Sequence, residues 1–501
     1  MQFRKIMFLG VMAVAMASCG SDDVLSEGGD GSVSAQDKGY MSLSIAFGGE
    51  KSSRALQEGD AVDAGTLGEQ KVSRISILLS YTGKDQQPHF DIHNIDAKDL
   101  VPGGPNNPAV KPGEATYYTT KPIAVEKGKK KIVVLVNADF DKVNKLNSFA
   151  ELGKAQVLAD ANEVKMISTE NNFLMTNAVD IVTETAKDAP AVDTESSMKN
   201  GDFYVDGSIY VDVQGNLATP TTVTVPVERA VAKLKEVSAD YKKAVVTDKN
   251  KPEATKTGDF VHFEHLALIN GNTKFFPIKK NRQVDGSNDY VVDPNFEGQN
   301  MGDHADFYSK NFAAGGDAIW QELPKKAEGL EIKEEERTVF YTLENTMIKE
   351  EQMNGYTTGV YYKAVYEKAG VLKGTSLYKF NGQLYTFEKL QELNQVQLGS
   401  LTNDSSIEEF QKVGVAKYEN GVCYYPYYIR HINNNNPNEL GVMEFGVVRN
   451  NCYTLNVNSV TGIGQNVPVN PDPTVPDEVD GMLEVVVKVL PWTVRNNNID
   501  F

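Results

Sequence analysis

From residue 40 onward, apolar and polar positions alternate with a period of two in one segment after another. In 40–47, Met41, Leu43, Ile45 and Phe47 fall on one side of an extended chain, and Ser42, Ser44 and Ala46 on the other. That is the spacing of a half-buried strand. The same pattern predicts strands at 75–81, 132–136, 203–213, 221–227, 231–237, 261–269, 339–343, 360–366 and 453–457. Asn381-Gly382 and Asn420-Gly421 each stand between β-prone runs, and Asn-Gly accepts the positive φ angles of a type I′ hairpin turn. Helix signals are few. Ser148 with Glu151, and Ser406 with Glu409, have capping-box spacing, and Thr386 is placed to cap a helix through Leu390 and Leu393. The pattern is mainly β with short helical insertions, without βαβ alternation or a repeat of 20 to 50 residues. A domain boundary is expected between 226 and 232, where one strand ends and another begins, and the Asn- and Gly-rich stretches at 294–316 and 433–438 read as loops.

The two ends of the chain carry patterns of their own. Arg4 and Lys5 precede an apolar run from Ile6 to Ala17, and small residues lead into Cys19. The run is too short for the ~20 residues that span a bilayer, so 1–18 reads as a signal peptide with Cys19 as the acylated first residue of a lipoprotein. Gly, Ser and Asp then dominate to about residue 38, the composition of a solvated tether. At the other end, Asn470-Pro471-Asp472-Pro473 through Pro476 and Asp477 forms a spacer that cannot continue a sheet and is expected to stay extended. Beyond it, Leu483, Val485, Val487 and Val489 make one aliphatic face, while Glu484 and Lys488 lie on the other. At ~1.5–3 kcal/mol per fully buried side chain, that face is worth about 6–12 kcal/mol, and left exposed it would be an aggregating edge. It either folds back on its own domain or is buried elsewhere.

Composition narrows the function. A length of 501 residues allows two or three domains with their own cores. The net charge of −18 argues against nucleic-acid binding, which needs clustered cations. Apart from Cys19, only Cys423 and Cys452 remain, too few for a disulfide framework; they either pair or stay as buried thiols. No later apolar stretch is long enough to cross a bilayer, so membrane attachment rests on the N-terminal lipid.

Enzyme motifs are missing: there is no G-x-S-x-G, phosphate loop or H-E-x-x-H. Gly462-Ile463-Gly464 lacks the third glycine of a dinucleotide fingerprint and reads as a strand-ending turn. His89, Asp91 and His93 share one face of a strand as alternation alone would place them, and His262 and His265 face opposite sides, with Glu264 between them. Asp193-Thr194-Glu195-Ser196-Ser197 has Glu where a metal-dependent adhesion motif requires Ser. Tyr424, Tyr425, Tyr427 and Tyr428 suggest aromatic strand packing before a glycan platform. No cofactor or metal is implied.

Four stretches, SLSIAFGGEKSSRAL at 42–56, VERAVAKL at 227–234, VVRNNCYTLNVNSV at 447–460 and VVVKVLPWTV at 485–494, resemble the fimbrillins of Bacteroidales, the type V pilins, and among them the major stalk subunit of the short fimbriae. Gly20-Ser21-Asp22-Asp23 is similar to the acidic signal that takes lipoproteins of that group to the outer face. The resemblance implies two transthyretin-like β-sandwich domains, here 55–228 and 229–469, preceded by a lipidated propeptide at 19–54 and followed by a spacer and donor strand at 470–501. It also implies a cell-surface, fimbrial location and no catalytic activity. In that family an Arg-specific protease removes the first strand, and the C-terminal strand of the next subunit fills the vacated groove. Carried over, the cut falls between Arg54 and Ala55, and Met41, Leu43, Ile45 and Phe47 belong to the strand removed. Leu483, Val485, Val487 and Val489 then belong to the strand donated. The expected partners are other copies of the chain, accessory fimbrial subunits and the protease. The alternatives are a monomeric surface lipoprotein binding glycan or another ligand, and an accessory anchor or tip subunit.

Overall fold

The computed structural model describes residues 37–47, 65–66, 68–102, 118–158, 161–178, 209–238, 244–248, 255–283, 289–297, 320–323, 332, 334–393, 395–434, 436, 439–477 and 483–491. They form two curled β-sheets with short helices, mainly β as the alternation predicts. Cys19, Arg54, Ala55, the 193–197 segment and the first part of the expected strand at 203–213 lie outside the described residues.

The first sheet contains β1 (Lys38–Phe47), β2 (Arg74–Thr82), β3 (Pro88–Asp96), β4 (Leu100–Pro102), β5 (Tyr118–Thr120), β6 (Ile123–Glu126), β7 (Gly128–Val136), β8 (Met175–Asn177), β9 (Ile209–Val213) and β10 (Thr221–Arg229). Their order is β3-β2-β7-β8-β10-β1-β5-β4, with β9 also on β7 and β6 also on β1. Ile75, Ile77 and Leu79 of β2 and Ile132, Val134 and Val136 of β7 point into the main core with Met41, Leu43 and Ile45. The unbroken apolar run of β7 has a second cause. Val133 and Leu135, with Leu78, face a smaller cluster closed by Val143, Leu152 and Ile278. A strand covered on both faces loses its alternation.

The second half of the chain adds β11 (Ala232–Glu236), β12 (Ala244–Asp248), β13 (Thr255–Ile269), β14 (Thr338–Thr342), β15 (Gly359–Glu367), β16 (Leu377–Phe380), β17 (Gln383–Tyr385), β18 (Ala416–Tyr418), β19 (Val422–Tyr428), β20 (Asn451–Val460) and β21 (Leu483–Pro491). The order here is β14-β11-β20-β12-β13-β15-β19, with β21 also on β20, and β16 to β18 make a small separate sheet. The strand β12 joins two layers, pairing with β20 at Val246 and with β13 over most of its length. Between them lie Leu234, Val261, Leu266, Tyr362, Tyr425, Tyr453 and Leu455.

The helices are α1 (Phe140–Val143), α2 (Ala161–Met166), α3 (Pro294–Glu297), α4 (Phe387–Gln391) and α5 (Ile407–Gln411). Ser406 and Glu409 form the complete capping box on α5, and the Thr386 hydroxyl accepts from the Lys389 amide on α4. The box expected at Ser148 does not form. Residues Phe149–Glu151 make a 3-10 turn in which the Ser148 carbonyl already accepts from the Glu151 amide, leaving that donor nothing to offer the hydroxyl. Glu151 instead accepts from the Asn147 amide. Asn381 and Gly382, at φ 48° and 78°, close the β16–β17 hairpin as expected. Asn420 and Gly421 also take positive φ, 53° and 73°, but β18 and β19 belong to different sheets, so this turn carries the chain between sheets and closes no hairpin.

Candidate functional site at the first and last strands

The first strand is an internal member of its sheet. On one edge β1 runs parallel to β10, from Met41 opposite Thr221 to Phe47 opposite Val227. On the other it meets β6 and then β5, both antiparallel. The interruption between those two strands contains Pro122, which has no amide to donate. Beside it Thr120 takes over: its hydroxyl accepts from the Leu43 amide at 3.0 Å, and its carbonyl accepts from the Ser42 hydroxyl at 3.1 Å. Met41, Leu43 and Ile45 are fully buried against Val223, Val225 and Val227. Three such side chains contribute about 4.5–9 kcal/mol.

The opposite face of β1 corrects the half-buried reading. Ser42 and Ser44 are only 6% and 9% exposed. β1 therefore occupies a two-sided slot, apolar on one side and sized for small residues on the other.

The stretches that carried the resemblance are neighbours in space. The strand β10 ends at Arg229, two residues before β11 begins. β11 lies parallel to β20, Lys233 opposite Cys452 through Glu236 opposite Leu455, and β20 pairs antiparallel with β21. Between the two sheets, charged side chains of these stretches are buried. The Arg229 Nε donates to the Glu69 carbonyl at 3.0 Å and its amide to Asn450 Oδ1 at 3.2 Å. Glu69 also takes the Lys233 ammonium at 2.9 Å and the Tyr341 hydroxyl at 2.6 Å; burial first, then the Glu69 charge, pushes the Tyr341 hydroxyl far above its ordinary range. Glu228 pairs with Lys279 at 2.8 Å. Arg449 donates to Glu344 at 2.9 Å and to the Phe276 and Pro277 carbonyls. Burial opposes the Arg449 charge, and the Glu344 carboxylate outweighs it, holding the guanidinium above its ordinary pKa. Sequence reading missed this junction. Its signal was charged residues set inside apolar runs, Glu228, Arg229 and Lys233 in one and Arg449 in the other.

In this single chain the last strand is paired at home, the fold-back arrangement. β21 runs along β20 from Leu483 opposite Val460 to Pro491 opposite Asn451, with one irregularity between Val457 and Ser459. Among the described residues it pairs with β20 alone. The expected free, extended spacer is corrected too. The Asp472 carboxylate accepts from the Thr474 amide and hydroxyl, and the Asp472 carbonyl from the Val475 amide, turning the chain. The Asn354 amide donates to the Val475 carbonyl at 2.8 Å, and the Asp477 amide to the Gln352 carbonyl at 3.0 Å. Gly355 is required there, because a Cβ would come within 2.4 Å of the Pro473 backbone. Further back, Tyr361 donates to the Val469 carbonyl at 3.1 Å.

The remaining sequence candidates fall into the framework. His89 shares both Asp85 oxygens and stacks on Tyr81, whose hydroxyl donates to Asp91 at 2.7 Å. His93 is buried opposite Ile77, and burial lowers its pKa. His262 bonds Glu367 at 2.6 Å, and Glu264 faces Lys373 at 3.7 Å. His265 stands across the sheet from Lys363 and Glu322. Tyr425 and Tyr427 belong to the second core, Tyr424 and Tyr428 to a cluster with Trp320 and Tyr361 on the other face of the sheet. The Gly462 and Gly464 carbonyls accept from Tyr425 and Tyr418, and a Cβ on Gly464 would meet the Tyr424 carbonyl at 2.2 Å. Cys423 and Cys452 are buried thiols in different cores, not joined by a disulfide; burial pushes Cys423 up to about 12.

Residues 416–498 match the family model for the major fimbrial subunit protein type IV, fimbrillin, C-terminal. That segment holds β18 to β21 and the spacer. No curated protein sequence matches the chain. Among solved structures, a candidate cell adhesion protein of Parabacteroides distasonis is similar at 14% identity and a TM-score of 0.44, over 91% of this chain and all of that one. A candidate cell adhesion protein of Bacteroides eggerthii follows at 12% and 0.37, over 92% and 98%. A fimbrial assembly protein of P. distasonis gives 12% and 0.31, over 84% and 91%. The C-terminal part of the chain is thus fimbrillin-like, a class of structural, non-enzymatic subunits.

Proposed function

We propose that this chain is the polymerising stalk subunit of a bacterial surface fimbria, exported as a lipoprotein through Cys19, cut after Arg54 and joined head to tail by strand exchange. The observation that carries the reading is that the chain has both an internal first strand in one sheet and a terminal edge strand, inside the fimbrillin-like segment, in the other. Loss of β1 would open a groove between β10 on one side and β5 with β6 on the other, lined by Val223, Val225 and Val227. The spacing of Leu483, Val485, Val487 and Val489 repeats that of Met41, Leu43, Ile45 and Phe47, so the terminal strand of a second copy suits it, with main-chain hydrogen bonds added along both edges. A contact of this kind is heterologous and does not close, which makes a filament. Cleavage is needed because the groove is filled until β1 leaves.

The test is N-terminal sequencing of subunits from assembled fibres, which are expected to begin at Ala55. Arg54→Ala is expected to leave a lipid-bearing precursor at the surface and reduce fibre to background. Fibres of normal abundance from that variant, with residues 40–47 still present in each subunit, would overturn the reading.

A further inference from the structure

The spacer before the last strand is fastened at Asp477. Asp477 is buried, its Oδ2 accepts from the buried Thr357 hydroxyl, and its amide is bonded to Gln352. Its Oδ1 has no hydrogen-bond partner among the described residues. A buried carboxylate with one oxygen unbonded is expensive to keep charged.

Distance decides what the contact does. From Asp477 to Leu483 the chain has six Cα steps, at most ~20 Å. Freed back to Val469, where Tyr361 holds it, the tether has fourteen steps, roughly 48 Å. A domain of this size is about 45 Å across. With these contacts made, the terminal strand cannot cross the width of its own domain; with the Asp477–Thr357 contact and the backbone bonds at Val475 and Asp477 all released, it can.

We propose that Asp477 and Thr357 form a latch that holds β21 on its own subunit and, by opening, gives the strand the reach to enter a neighbour's groove. The inference rests on the strand-exchange reading above. It also has a pH sense. Desolvation raises the Asp477 carboxyl to about 7 from its ordinary 3.8. Few charges face it. Among the described residues, Gln352, Asn354 and Thr357 are uncharged, Tyr428 of β19 is its titratable neighbour, Asp472 of the spacer faces that same tyrosine, and Lys349, just before this segment, is paired with Glu439. A group whose pKa is raised in the closed form favours closure fully below the open-form value, and that preference is lost as pH rises through the closed-form value. The latch is therefore tightest near pH 4 and loosens up to about pH 7.

Cysteines replacing the bridged pair Met353 and Pro476 test the latch in the full-length, processed subunit. Oxidation is expected to form the cross-link and stop fibre growth, and reduction to restore it in the same sample. Hydrogen exchange of the Asn354 and Asp477 amides is expected to lose about fiftyfold in protection between pH 5 and 7, and Asp477→Asn to remove that dependence. A cross-linked subunit that grows fibres at the reduced rate, a pair that fails to cross-link, or protection unchanged by pH would sink the latch. The strand-exchange reading would survive each of these results, because it is tested separately, by fibres from Arg54→Ala and from chains lacking β21.

Discussion

Subunits ending at Asp480 are expected to fold and to form no fibres. Both cores are built from strands that precede this point: the first from β1, β2, β7 and β10, the second from β11, β13, β15, β19 and β20. Loss of β21 leaves one open edge on β20, so a Tm lower by several degrees is expected with unfolding still cooperative. Val487→Asp is expected to reduce fibre nearly as far, because an unpaired carboxylate placed in an apolar groove costs several kcal/mol, against ~1.5–3 kcal/mol gained there by the valine. Electron microscopy after protease activation reads both variants. Cysteine pairs between β10 and the position of Val487 give the register, and links that form only within a chain would show that the strand stays at home. The two-sided slot adds a condition. Ser42 and Ser44 fill its second side, so Glu484 and Lys488, which alternate with the aliphatic positions, would have to be accommodated there.

The second large effect is expected at the junction of the sheets. Arg449→Met removes the guanidinium, leaving Glu344, itself fully buried, without a counter-charge and the Phe276 and Pro277 carbonyls without their donor. Breaking one partner of a buried pair costs about 3–5 kcal/mol, which for domains of this size lowers Tm by roughly ten degrees. The double variant Arg449→Met with Glu344→Met is expected to recover most of the loss, since two apolar side chains leave no orphaned charge. Thermal melts of the single and double variants decide it. Equal Tm for all three proteins would show that water already reaches the pair.

What could be read from the sequence was whatever alternation encodes. β1, β2, β10, β15 and β20 lie within a few residues of their expected positions, because each has one core-facing row. Alternation is silent about the second face, and that is where the reading fell short. Ser42 and Ser44 look solvated in sequence and are buried, and Lys233 and Lys235, between apolar neighbours, look like an outer row and are enclosed. The spacer was misread for a related reason. Proline excludes a ladder position, yet Val475 needs only to offer a carbonyl to the Asn354 amide, and prolines on either side do not prevent that. Thr357, more than a hundred residues from Asp477, had no local signal at all.

The arrangement of β10, β11 and β20 has a mechanical consequence. β10 passes into β11 through only Ala230 and Val231, and β11 lies alongside β20, which leads by the chain to the terminal strand. In a filament assembled by strand exchange, tension entering through the occupied groove would load β10 along its length, pass by covalent chain into β11, and cross to β20 through parallel hydrogen bonds pulled in shear. Bonds loaded in shear must fail together, whereas bonds that are peeled fail one at a time. The helices, the β16–β18 sheet and the aromatic cluster around Trp320 lie off this line, so the load of a tethered cell would bear on the strands whose charged side chains are locked at the junction.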